Sequence, residues 1–347
     1  MKYRFIIGFL FMATVMTSCS PEVDLYADYK DIPIVYGILD SKADTTFIKI
    51  THIMHDPGNA LSAATDPSMS DYPGKLDVRL TEFCNGDSVR QLILDTITVH
   101  DKQQGTFYAP TQKLYYTTER IPQNTETEHY RYRLYIQLPE RSLTADALLV
   151  GDEQFYIRSS TADFSNGQVD ASPMRERIYF IPAENAEIYE ISMAFTYLER
   201  RTFTSDSVPH TLQWSLGTFY RTELQNQTQG GAYYVEYLSS DIFHALSEDI
   251  GTDTIVPGLR RYITDNPLKI TITAGGNYLS RYYYITHLAS QVMNGENAYS
   301  LIDGGYGVFS SKTTITRELR LAGTTVPDIV SISRWGFKFI GGQLPTE

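Results

Sequence analysis

Residues 75–99 read KLDVRLTEFCNGDSVRQLILDTITV. Leu76, Val78 and Leu80 alternate with Lys75, Asp77, Arg79 and Thr81, the period of two with which a strand buries one face and wets the other. Asn85-Gly86 follows, the dipeptide that best tolerates positive φ at both centres of a tight turn. The apolar-rich run Val89 to Val99 then returns, so the stretch predicts a β-hairpin. Cys84 sits beside that turn as a small packing residue rather than a nucleophile.

Outward from the hairpin the same period recurs. Tyr130, Tyr132, Leu134, Ile136 and Leu138 alternate with Arg131, Arg133 and Gln137. The chain holds 26 Tyr and 16 Phe, residues that suit pleated, half-buried surfaces. Further strands are predicted over 34–39, 46–53, 112–118, 148–157, 188–199, 210–216, 232–238, 268–274, 308–311 and 333–339. Two interruptions read as helices: Asp241 caps a short one through Glu248, and Asn277 caps a longer one carrying Leu279, Tyr282, Ile285, Ala289 and Val292. Short strands separated by turn residues imply sandwiches or barrels rather than βαβ layers.

The connection from His55 to Gly74 is too long for a hairpin turn. Its Leu61–Ala64 stretch could make one helical turn, so an ordered flap and a mobile loop both stay open. The segment from Thr161 to Pro173 lacks an apolar period. The expectation is therefore a mainly β chain of two β-sandwich-like domains, immunoglobulin-like or related, over residues 32–160 and 174–347. Residues 161–173 would link them, and one or two short helices fall in the C-terminal half.

The chain opens MKYRFIIGFLFMATVMTSC. A basic start at Lys2 and Arg4, an apolar run from Phe5 to Val15 and small residues before Cys19 read as a secretory signal over residues 1–18; the run is short for a membrane span. The cysteine makes this a lipoprotein signal, with Cys19 lipidated and residues 19–31 a tether. Met16 stands where a lipobox usually has Leu, which leaves ordinary signal cleavage as the alternative. Stable anchoring needs more than one acyl chain, which the bacterial modification supplies.

Removal of the signal leaves 27 basic against 41 acidic side chains, a net charge of −14. Such a surface repels phosphate backbones and anionic headgroups, so nucleic acid is excluded as a partner and membrane contact falls to the N-terminal lipid. Cys19 and Cys84 are the two cysteines. Once Cys19 is lipidated no intramolecular disulfide is available, and the fold rests on packing.

No GxSxG elbow, HExxH helix, phosphate-binding loop or dinucleotide fingerprint occurs. No catalytic residue, metal ligand or cofactor is assigned, and the chain reads as a non-enzyme. His52, His55 and Asp56 have suitable metal-ligand chemistry, but no third histidine is near in sequence. His100-Asp101 is a polar turn. Asp303-Gly304-Gly305-Tyr306-Gly307 lacks the repeated acids of a calcium loop and reads as a bend in which glycine supplies positive φ. Trp214, Trp335, Tyr233, Tyr234 and the run Tyr282-Tyr283-Tyr284 could stack on sugar rings, although aromatics at strand and helix periods usually belong to cores. Nothing at Glu126, Glu128, Glu184 or Glu187 marks a glycosidase pair.

Several stretches together carry a resemblance. The lipobox cysteine is followed by Asp24-Leu25-Tyr26 and the strand Pro33-Ile34-Val35-Tyr36-Gly37-Ile38-Leu39. Gly58-Asn59-Ala60-Leu61 leads into the Leu76 hairpin, Ile188-Tyr189-Glu190 opens a long strand, and Gly304-Gly305-Tyr306-Gly307-Val308-Phe309 comes near the end. The chain thus resembles the uncharacterised outer-membrane lipoproteins of Bacteroidota, a domain-of-unknown-function family often encoded beside SusC-like TonB-dependent transporters. The resemblance implies an outer-membrane lipoprotein and a TonB-dependent transporter as partner, and it carries over no catalytic residue. The acidic residues after Cys19, namely Glu22, Asp24 and Asp28, are interrupted by Val23, Leu25 and Tyr26, which leaves both faces of the membrane open. The leading function is a binding or accessory module at the outer membrane. The alternatives are a fimbrial or surface-assembly subunit exchanging strands between copies and a surface hydrolase of unrecognised type.

Overall fold

The structure, a computed structural model, describes residues 31–53, 64–103, 105, 108–109, 111–167, 174–202, 206–224, 231–251, 256–291 and 302–339. Strand accounts for 53% of it and helix for 13%, which makes the chain mainly β, consistent with a β-sandwich. In chain order the elements are β1 (Pro33–Asp40), β2 (Thr46–His52), β3 (Asp77–Cys84), β4 (Asp87–Ile93), β5 (Asp95–Val99), β6 (Gln112–Thr117), β7 (Tyr130–Gln137), β8 (Ser142–Leu148), β9 (Thr161–Asp163), β10 (Arg175–Phe180), β11 (Ala186–Arg201), β12 (Ser207–Tyr220), β13 (Tyr233–Leu238), α1 (Asp241–Ile250), β14 (Leu259–Ile263), β15 (Leu268–Gly276), α2 (Asn277–Gln291), β16 (Tyr306–Ala322), α3 (Thr325–Ser331) and β17 (Phe337–Phe339). Among the described residues no helix is long and apolar enough to cross a membrane.

The 75–99 stretch forms its hairpin. Asn85 and Gly86 hold φ of 50° and 100°, and Cys84 pairs with Asp87 across the turn. The returning run is not one strand, however. It breaks at the buried Leu94, whose N–H donates to Val78 O at 2.9 Å. β4 stays with β3, while β5 crosses to pair with β6 in another sheet. Alternation continues through the corner, with Leu92 and Leu94 buried and Ile93 exposed, so the sequence period carries no mark of the switch.

Two layers follow. The four-stranded sheet β4-β3-β7-β8 lies against the β1, β2, β6 and β5 end of an 11-stranded sheet. Val78, Leu80, Leu134 and Ile136 meet Val35, Ile48, Ile50 and Tyr115 in the core between them. Tyr115 Oη also accepts the Leu76 N–H at 3.0 Å, so the buried phenol is paired. A second core gathers Ile191, Met193 and Phe195 of β11 with Ile178 and Phe180 of β10, Val235 and Tyr237 of β13, and Ile242, Phe243 and Leu246 of α1.

β16 joins these two cores. Its first part runs parallel to β1, from Ile34 opposite Tyr306 to Asp40 opposite Lys312, and its second part pairs antiparallel with β15. Ile302 and Phe309 complete the N-terminal core, while Leu319 belongs to the other. The chain passes from the first core to the second between Leu149 and Val150. Ser311 staples that point, its buried hydroxyl donating to Leu148 O at 2.6 Å and accepting the Val150 N–H at 2.9 Å.

Several expectations need correction. The segment read as a linker, 161–173, begins with β9, which pairs parallel to β16. Ala162 and Phe164 are buried in the second core, and 168–173 lie outside the described residues. The strand expected over 148–157 comes earlier, as β8, which ends at Leu148; after it Ile157 forms an isolated bridge to Phe180. Over 333–339 a 3-10 turn at Ser333–Trp335 precedes the short β17. Asp241 and Asn277 are the first residues of α1 and α2 rather than their caps, and Asp241 instead accepts the Leu238 N–H at 3.0 Å. β10, β14 and α3 have no counterpart in the sequence reading. Residues 1–30, with Cys19, and Leu61 to Ala63 of the 55–74 connection lie outside the described residues.

Candidate binding site

Tyr282, Tyr283 and Tyr284 occupy consecutive positions of α2. Successive helical side chains diverge by about 100°, so the three rings serve different surfaces. Tyr282 meets Tyr36 of β1 edge to face, with centroids 6.0 Å apart and hydroxyls 3.3 Å apart. Burial, and then the hydrogen bond shared with Tyr282, push the Tyr36 phenol up to about 12. Tyr283 and Tyr284 turn toward Tyr220 at the end of β12, at 6.4 and 6.1 Å between centroids.

Beside that contact α2 and the open end of the β11–β12 hairpin enclose a pocket of about 650 Å³. Tyr220, Tyr284 and Ile285 supply its apolar wall, and Glu187, Arg221, Glu223 and Arg281 its charged rim. Arg221 is held: Nη1 lies 3.6 Å from Glu187 Oε1, and Nε donates to Tyr233 Oη at 3.4 Å. The bond to Tyr233 raises the guanidinium above its ordinary value. Glu223 is held by the Tyr220 N–H at 2.9 Å. Arg281 is exposed and has no ion pair among the described residues, so its five donors are available to a ligand. Tyr284 is 54% exposed, enough to present a ring edge or face. Its lining holds no histidine, cysteine or lysine among the described residues. The arrangement can stack on a ring and grip its polar edge; it shows no nucleophile with a neighbouring base.

Of the aromatics singled out in sequence, only Tyr284 lines this pocket, with Tyr283 beside it on Tyr220. Trp335 and Tyr233 are buried in the second core. Tyr234 lies beneath the Arg177 guanidinium, 4.3 Å from its centroid, and beside Tyr179. Trp214 packs on Phe164 at 6.3 Å and lines a separate groove. Tyr220, Arg221 and Arg281, which complete the pocket, carried no sequence signal, because their proximity depends on how α2 docks.

The remaining candidates are dispersed. His52 packs on Tyr72 at 4.9 Å, while His55 and Asp56 lie outside the described residues. Among the described residues no group of three His, Cys, Asp or Glu could hold a metal ion. Asp101 accepts from Gln112 at 3.0 Å, and His100 is exposed. Glu126 pairs with Gln154, Glu128 with Tyr130 and Glu184 with His129, each a separate contact. Gly304 and Gly307 take φ of 76° and 105° in the bend before β16. No protein-family model matches the chain, and no curated protein sequence matches it.

Proposed function

We propose that the protein is an outer-membrane lipoprotein, anchored through Cys19, whose folded body is a binding module serving a TonB-dependent transporter, and that it holds a sugar ring in the pocket between α2 and the end of β12. The pocket carries the binding part of this reading: aromatic walls from Tyr220 and Tyr284 beside an exposed Arg281, which has no ion pair among the described residues, fit a ring with apolar faces and a polar or anionic edge. The anchor rests on the signal-like first nineteen residues.

The test is a glycan array probed with the purified protein and with its Tyr284→Ala and Arg281→Ala variants, both at exposed positions. Binding should be saturable, and loss of the ring should weaken it by about tenfold, with Arg281→Ala acting most on acidic sugars. Absence of any retained glycan, or unchanged binding by Tyr284→Ala, would contradict the reading. In cells, Cys19→Ser should move the protein from the membrane fraction to the soluble one.

A further inference from the structure

β12 is the outer strand of its hairpin, and among the described residues it pairs with β11 alone. An open edge is a template for another strand, and proteins guard it with proline or bulges. β12 has both, on either side of its middle. Pro209 lacks an N–H, and between Ile191 and Ser192 the register slips so that Leu216 bulges. Between these guards Thr211 to Ser215 is a regular edge that no strand among the described residues covers.

That stretch borders a groove of about 580 Å³ whose opposite wall is α1. The helix sends Ile242, Phe243 and Leu246 into the core, which leaves Asp241, His244 and Glu248 on the groove side. No lysine or arginine lines it among the described residues. Glu248 has no ion pair among them either, whereas the neighbouring Asp249 already accepts the Tyr197 hydroxyl at 2.7 Å. At the groove the Trp214 indole N–H is buried with no hydrogen-bond partner among the described residues. Five extended residues span about 17 Å, and a ten-residue helix about 15 Å. The edge and the wall therefore match in length.

We infer that this groove receives an extended segment of a partner protein, added as a strand on β12 and carrying Lys or Arg at alternate positions toward the α1 wall. Main-chain bonds to Thr211–Ser215 would supply affinity, and the period of two would direct every second side chain to the α1 wall, where the exposed Glu248 is the principal acid and Asp241 keeps its bond to the Leu238 N–H. A second copy of this chain fits less well, because Ser207–Tyr220 contains no lysine or arginine to meet the acidic wall and its His210 already lies 3.2 Å from Glu199.

The probe is a synthetic peptide alternating Lys and Val over about seven residues, titrated into the full protein and followed by the emission of Trp214, with Trp335 buried as the constant background. Saturable binding with a shift in emission is expected, absent from the matching Glu–Val peptide. Methylating alternate backbone nitrogens of the probe should weaken binding by about tenfold. Glu248→Lys, on the exposed side of α1, should weaken it by about three- to tenfold. The inference falls if no saturation is reached by about 1 mM, if the Glu–Val peptide binds equally, if the methylated probe binds as well as the parent, or if the protein dimerises through this edge instead.

Discussion

Gly307 and Gly86 adopt nearly the same backbone conformation, with φ of 105° and 100°, yet they answer to different constraints. A Cβ at Gly307 would lie 2.0 Å from Val35 O, a backbone atom that cannot step aside, whereas a Cβ at Gly86 would meet nothing within 4 Å. Gly86→Ala should therefore cost only the conformational penalty, about 1 kcal/mol. Gly307→Ala should cost about 3 kcal/mol or more, since it also parts β1 from β16. Urea unfolding of the two variants measures the difference directly; equal losses would show that the close approach to Val35 is relieved at little cost. The sequence already marks both glycines, one by its Asn-Gly turn and one by its place in a glycine-rich bend. The crowding at Gly307 comes from a strand that is remote in the chain.

α1 shows how an element can be legible while its details are not. Asp241 announces a short helix through Glu248, and the structure adds that Ile242, Phe243 and Leu246 are its buried face. The docked helix shows that the carboxylate is partly buried and bonds backward to Leu238 rather than forward into the first turn. Burial raises its pKa above the ordinary carboxylate value, against the opposing pull of the Leu238 N–H. An acid raised in the folded state contributes stability that is full below its unfolded pKa and is lost as pH rises through the folded one. Asp241→Asn keeps an oxygen for the Leu238 N–H and cannot ionise. Its stability relative to the parent should therefore improve between about pH 3.5 and pH 7, as read from urea midpoints at both ends. A difference that stays constant, or runs the other way, would contradict the burial of this carboxylate. The same limit on legibility applies to the 75–99 run, where both halves alternate correctly but the crossing at Leu94 depends on which sheet accepts β5.

β16 makes the two cores interdependent. Residues 31–149 contain nearly all of the first core but lack Ile302 and Phe309, both buried there, and the seven paired positions that β16 offers to β1. Each such side chain contributes about 1.5–3 kcal/mol on burial, and the lost pairing exposes β1 as an unprotected edge. Against a typical margin of about 5–15 kcal/mol for a whole domain, fragment 31–149 should show no cooperative thermal transition, while residues 31–347 should. A sharp transition in the fragment would show that the first sandwich stands without β16.

Period-two alternation, Asn85-Gly86 and the wealth of tyrosine and phenylalanine were enough to establish a mainly β chain, since alternation and turn chemistry are properties of a few adjacent residues. They also placed the hairpin and many of the strands, while cap residues and three-four spacing placed the two larger helices; of β16, the longest strand, only 308–311 was legible. Strand partners were beyond their reach: β1 meets β16 across some 270 residues, and nothing local in either strand names the other. The pocket follows the same logic. Three consecutive tyrosines were visible from the start, but that Tyr282 meets Tyr36 while Tyr283 and the exposed Tyr284 meet Tyr220 was settled by the docking of α2, because exposure belongs to the surfaces that surround a side chain rather than to the side chain itself.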